Sequence, residues 1–132
     1  MQLTTWHLIE AGNAFPGVQC LDGMLHLLLQ ELAQGHADYM ARVKQQGHQN
    51  FSQRHTTIRD ELGMRAAEIC AESWDRQREA PLDEIAREMF RSWRQSPGHW
   101  AVVCTPHDLY GAAMSRGANG IWYACILVGD ET

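Results

Sequence analysis

The sequence predicts an α+β domain: a three-layer α-β-α sandwich around a small, mainly antiparallel sheet. Three observations carry this. Apolar residues recur at spacings of three and four through residues 21–46. A second amphipathic helix begins near Pro81. Two apolar runs, Tyr110 to Arg116 and Ile121 to Val128, flank a turn of Gly117-Ala118-Asn119-Gly120, and Asn-Gly there is a hairpin signal. The last run is apolar on both faces, so it needs helices on both sides of the sheet.

Taken in order, residues 1–20 read as an N-terminal arm, extended or briefly helical and ending in a turn. Trp6, Leu8, Ile9 and Phe15 mix there with Gly12, Asn13, Pro16 and Gly17. Those apolar groups need cover, on this domain or on a neighbouring chain. Residues 21–129 read as the folded domain, and 130–132 as a polar tail. In the first long helix, Leu21, Met24, Leu25, Leu28, Leu32, Tyr39, Met40 and Val43 form one face, and Gly47 supplies the stop. Thr57 to Asp60 resembles a capping box for a short helix ended by Gly63. Residues 66–73 read as a short strand, and 74–80 as a polar loop.

In the next helix, Asp83 and Glu84 complement the N-terminal dipole. Ile85, Met89, Phe90 and Trp93 make its apolar face. Pro97-Gly98 stops that helix and presents His99 at a fixed angle. Trp100 to Cys104 then reads as an apolar extended run leading to the hairpin.

With 132 residues, one domain is expected. A hydrophobic fraction of 45% excludes a disordered chain. The net charge of -5 and the absence of a basic run argue against nucleic acid as a partner. No apolar run approaches a membrane span, and residues 1–19 lack the pattern of a secretory signal. Cys20, Cys70, Cys104 and Cys125 form no metal-ligand spacing. Reduced, buried thiols are expected, with a Cys104–Cys125 bridge as the alternative.

Glu68 is framed by Ala67, Ile69, Cys70 and Ala71. A carboxylate in such a frame is costly to bury unless paired. It therefore needs an imidazole, an arginine or backbone N–H groups. Glu72 is a rival for the same role.

The order Trp93, Ser96-Pro97-Gly98-His99, Pro106, Gly111, Gly120, Trp122 and Tyr123 resembles the C-terminal half of bacterial CAP-superfamily domains. CAP stands for cysteine-rich secretory proteins, antigen 5 and pathogenesis-related 1, and these domains are also called SCP-like. "LAQGHADYMA" resembles the first helix of that pattern. His48, followed by Phe51 and Arg54, resembles its first histidine segment. Ala67-Glu68-Ile69-Cys70-Ala71 keeps the acid of its "GEN-apolar-Ala" motif but not the glycine or asparagine. The resemblance covers roughly residues 21–129 and implies the same three-layer architecture. It also implies a cleft with His48, His99 and Glu68. A fourth group, an acid in eukaryotic members, is replaced here by Ser96.

Two imidazoles and a carboxylate would hold Zn²⁺ with a water in the fourth place. His48, Glu68 and His99 are therefore the candidate metal ligands, and the candidate catalytic residues if there is catalysis. The competing reading is a hydrogen-bonded polar cluster. The favoured function is a non-catalytic binding or interaction module facing a protein or cell-envelope partner, including a structural part of an extracellular or particle assembly. The resemblance implies an extracellular or particle-associated place. A zinc-dependent hydrolase is the alternative, and lipid or sterol binding comes third.

Overall fold

In a computed structural model the expected three layers are present. The structure describes residues 1–73 and 79–132, so the expected loop at 74–80 lies mostly outside the described residues. The elements are α1 (Leu3–Ala14), β1 (Met24–Leu25), α2 (Leu27–Val43), α3 (Phe51–Leu62), β2 (Met64–Glu72), α4 (Leu82–Arg94), α5 (Pro97–Val103), β3 (Leu109–Arg116) and β4 (Trp122–Glu131). The sheet order is β1-β3-β4-β2. β1 runs parallel to β3, and the other pairs are antiparallel.

Strand periodicity sorts the side chains into two cores. Ile69, Ala71, Tyr110, Ala112, Met114, Ala124, Ile126 and Val128 face α1, α4 and α5. Cys70, Ala113, Tyr123, Cys125 and Leu127 face α2 and α3. β4 lies between β3 and β2 and contributes to both cores, as its two apolar faces predict.

Several sequence expectations need correction. Residues 1–20 are not an arm awaiting a neighbour. They carry α1, which packs on α4 and β3, with Leu8 fully buried. The Thr5 hydroxyl donates to the Ala112 carbonyl at 2.8 Å.

The first long helix begins at Leu27 rather than Leu21. A Cβ on Gly23 would lie 2.2 Å from the His107 carbonyl oxygen, so the chain there presses flat against the entry to β3. Met24 N donates to Asp108 O and His26 N to Tyr110 O, both at 3.0 Å. His26 then caps α2 by accepting from Leu28 N. The helix ends at Lys44, in the left-handed region with φ 60°, rather than at Gly47.

α3 begins at Phe51, earlier than the Thr57 segment suggests, although Gly63 does end it at φ +65°. Trp100 to Cys104 is not extended. Pro97 opens α5 instead, because its fixed φ and missing N–H suit a helix start. The expected tail is part of β4, where Asp130 bonds the His107 ring at 2.6 Å and Asp108 N at 3.1 Å.

All four cysteines are free. Cys104 lies near Gly17 and Trp100 in the α1/α4/α5 layer, whereas Cys125 faces α2 and α3. The sheet therefore separates the alternative Cys104–Cys125 pair. Among the described residues, no helix is long and apolar enough to cross a membrane.

Candidate functional site

Glu68 is the centre of the one large polar cluster among the described residues. It points from β2 toward α2 and α3, and its side chain is 1% exposed. Burial pushes its carboxyl pKa up, but hydrogen bonds from Arg54 and His48 outweigh that and hold it below the ordinary value. Arg54 Nε donates to Oε2 at 2.6 Å and Nη2 to Oε1 at 2.8 Å. This is a two-bond fork of the kind that makes arginine–carboxylate pairs specific. Arg54 Nη1 also donates to Gln49 O at 2.8 Å, tying α3 to the loop before it.

His48 stands at the mouth of the cluster. Its Nδ1 lies 3.0 Å from Glu68 Oε1, and its side chain is 46% exposed. Phe51 meets its ring edge-on. His36, from α2, is buried beneath. Its Nε2 is 2.7 Å from Gly47 O, a bond that needs a proton on Nε2, and 3.7 Å from Glu68 Oε1.

Cys70 Sγ lies 3.6 Å from Glu68 Oε1 and 3.9 Å from His48 Nδ1. A hydrogen bond from Cys125 leads the effects that lower the Cys70 thiol pKa to about 5, against burial. The Cys70 contact, followed by Glu68, raises the His48 imidazole to about 9 against its desolvation. Arg54 and His48 thus pair the buried Glu68 carboxylate from two sides, as a buried ionic group requires.

The structure therefore joins two of the expected site residues, His48 and Glu68. It places His99 on α5, in the layer across the sheet, and His99 contributes no atom to the cluster. The Ser96-Pro97-Gly98-His99 turn starts a helix of the α1/α4/α5 layer rather than a strand entering the cleft. Glu72, the rival acid, is not part of the cluster.

Arg54 and an imidazole partner the acid as its apolar frame demanded. His36 and Cys70 were not legible as members. His36 lies 32 positions before Glu68 in the sequence, and only the packing of α2 on the sheet brings them together. The signal for Cys70 was its place two residues after Glu68, on the same face of a strand.

His36, Glu68 and Cys70 each bring one ligand atom within 4.8 Å of the others, a grouping that metal sites also show. These atoms already have partners. An ion would have to displace Arg54 from Glu68 and free His36 Nε2 from the Gly47 carbonyl. The donor set as it stands does not fit a zinc centre with an open position.

A groove of about 640 Å³ lies elsewhere, at the β1 edge of the sheet, lined by Met1, Leu25, Leu27, Gln30, Glu31 and Gln34 among others. Leu27 is 71% exposed at its rim. Gln30 finishes that edge. Its amide accepts from Ala112 N at 2.9 Å and donates to Ala112 O at 2.8 Å, as a further strand residue would.

Among family models and among curated proteins, no match to the chain is found. Among solved structures, the fold is similar to that of an outer surface protein from Borrelia burgdorferi. The TM-score is 0.63 at 17% identity, over 83% of this chain and 78% of that one.

Proposed function

We propose that this domain is a non-catalytic interaction module of the CAP-like type, working outside the cell or on the surface of a particle, and that a partner protein seats on the apolar shelf at the β1 edge. The carrying observation is the contrast between the polar cluster and the apolar shelf. The titratable cluster is paired internally, with Glu68 locked by Arg54. The shelf is open, with Leu25, Leu27 and Met1 lining a groove whose polar rim is Gln30, Glu31 and Gln34. A contiguous exposed apolar surface with a polar rim is how protein-binding sites are commonly built. The fold shared with an outer surface protein supports the same reading.

The test is a photo-crosslinking amino acid placed singly at Leu25, Leu27 or Gln34 in the producing cells, with exposed Arg59 on α3 as the control. The reading requires an adduct to one discrete protein from the shelf positions and none from Arg59. No adduct, or the same adducts from every position, overturns it. The zinc-hydrolase alternative rests on His48, Glu68 and His99, of which only His48 and Glu68 meet. Peptide or ester hydrolysis that depends on added Zn²⁺ and is lost in Glu68→Gln would put that alternative in its place.

A further inference from the structure

We propose that Cys70 and Cys125 are a peroxide-oxidisable dithiol, in which Cys70 is attacked first and Cys125 closes a cross-strand disulfide beneath His48. The two residues are direct partners in the β2–β4 register. Both are buried on the face toward α2 and α3. Residues opposite one another in an antiparallel pair have Cβ atoms about 4.5–5.5 Å apart. A disulfide needs roughly 3.5–4.5 Å. Closure therefore needs a small inward movement and no change of register. The resulting bond is strained and open to reduction.

The surroundings of Cys70 favour attack on a small oxidant. Its sulfur has an imidazole at 3.9 Å, and that imidazole is half exposed while the sulfur is covered. A sulfur this covered suits a small hydroperoxide better than a bulky disulfide. Position supports the same order of events. Cys70 lies beside the half-exposed His48 ring, whereas Cys125 is fully buried on β4 between its two neighbouring strands.

The chemistry balances with a hydroperoxide as oxidant. Cys70 thiolate attacks one peroxide oxygen and the O–O bond breaks. Sulfur loses two electrons and becomes the sulfenic acid. The departing hydroxide or alkoxide takes the His48 proton and leaves as water or alcohol. Cys125 sulfur then attacks Cys70 sulfur, the S–O bond breaks, and hydroxide leaves with the Cys125 proton as water. Two thiols and one hydroperoxide become one disulfide, one water and one alcohol, or two waters for hydrogen peroxide.

The chain carries its own control. Cys20 and Cys104 occupy the opposite layer, and burial pushes Cys20 up to about 12. Cys104 is only half-buried, so exposure alone would make it the first thiol to react.

The experiment treats the native protein with stoichiometric hydrogen peroxide at pH 6 and pH 8. Remaining thiols are blocked in denaturant, and peptides are read by mass spectrometry. The expected product joins the Cys70 and Cys125 peptides with the loss of two hydrogens. Cys20 and Cys104 stay alkylatable and dithiothreitol reverses the bond at both pH values. In Cys125→Ala, Cys70 should stop at a sulfenic acid trapped by dimedone. His48→Gln should slow the first step by more than about tenfold, while His99→Gln leaves it unchanged. Oxidation that begins at Cys104, or Cys70 that reacts only once the protein unfolds, overturns the proposal. So does a Cys125→Ala protein that takes no dimedone.

Discussion

Arg54 holds Glu68 through two bonds of 2.6 and 2.8 Å, so α3 is clamped to β2 through a carboxylate that water hardly reaches. Removing Arg54 leaves Glu68 with only the His48 imidazole, and removing Glu68 leaves Arg54 with only the Gln49 carbonyl, a loss of up to roughly 3–5 kcal/mol. Arg54→Ala and Glu68→Gln should each destabilise the domain by about that much in urea unfolding. The double variant Arg54→Met with Glu68→Leu should cost much less than the sum of the singles, because no lone charge remains. Additive losses would show that the fork is not what holds these elements.

The cluster gives a definite pH profile. Cys70 is lowered to about 5 from an ordinary 9.0, so its contribution is present above pH 9 and lost as pH falls through 5. His48 is raised to about 9 from 6.5, so its contribution is complete below 6.5 and lost as pH rises through 9. Between 6.5 and 9 the folded pair and the unfolded pair each hold one proton, so these groups leave stability flat. From 6.5 down to 5 the unfolded state holds one more proton and stability falls. Glu68, held low, adds a further loss as the solution passes below about 4.3. Melting temperature against pH checks the shape. An NMR titration should find the His48 midpoint well above 6.5, lowered by Cys70→Ser and unmoved by His99→Gln.

Gly111 marks where α2 comes closest to the sheet. A Cβ there would lie 2.4 Å from both the C and O atoms of Leu29 and 2.5 Å from Gln30 N, all of them backbone. No side-chain rotation relieves that clash, so α2 must move away from β3. Gly111→Ala should cost about 3 kcal/mol or more, read by chemical denaturation. An alanine variant as stable as wild type would mean that α2 sits farther from β3 than described.

Leu8 tests whether α1 belongs to the domain. It is fully buried against the α4 side of the core. Leu8→Ala should destabilise by about 2–5 kcal/mol, and α1 should lose amide protection only together with the sheet. An early, separate loss of protection would restore the reading of residues 1–20 as an arm whose apolar groups take cover on a neighbouring chain.

Much of the fold was legible because its signals are local. A run apolar on both faces marked β4 as central, Asn119-Gly120 marked its hairpin, and the spacing of Ile85, Met89, Phe90 and Trp93 marked α4. Misreadings came where local preference was overridden. Leu21 to Leu25 has helical spacing, but the chain turns at Leu21 and Asp22, and main-chain bonds to the start of β3 hold Met24 and Leu25 extended. Trp100 to Val103 is apolar enough for a strand, yet Pro97 starts a helix there and Trp100 N bonds Ser96 O at 2.8 Å.

For the site, the residues around Glu68 were enough to require a partner for it, because an ionised carboxylate among Ala, Ile and Cys is unstable alone. Chain proximity likewise kept His48 and Arg54 within a short loop and helix of each other. Three relationships came only with the assembled fold: His36 comes up beneath the acid, Cys70 meets Cys125 across the strands, and His99 lies beyond the sheet. Charge and burial cost belong to a residue and its neighbours in the chain. The face of a sheet on which a helix lands is set instead by how distant segments share the two cores.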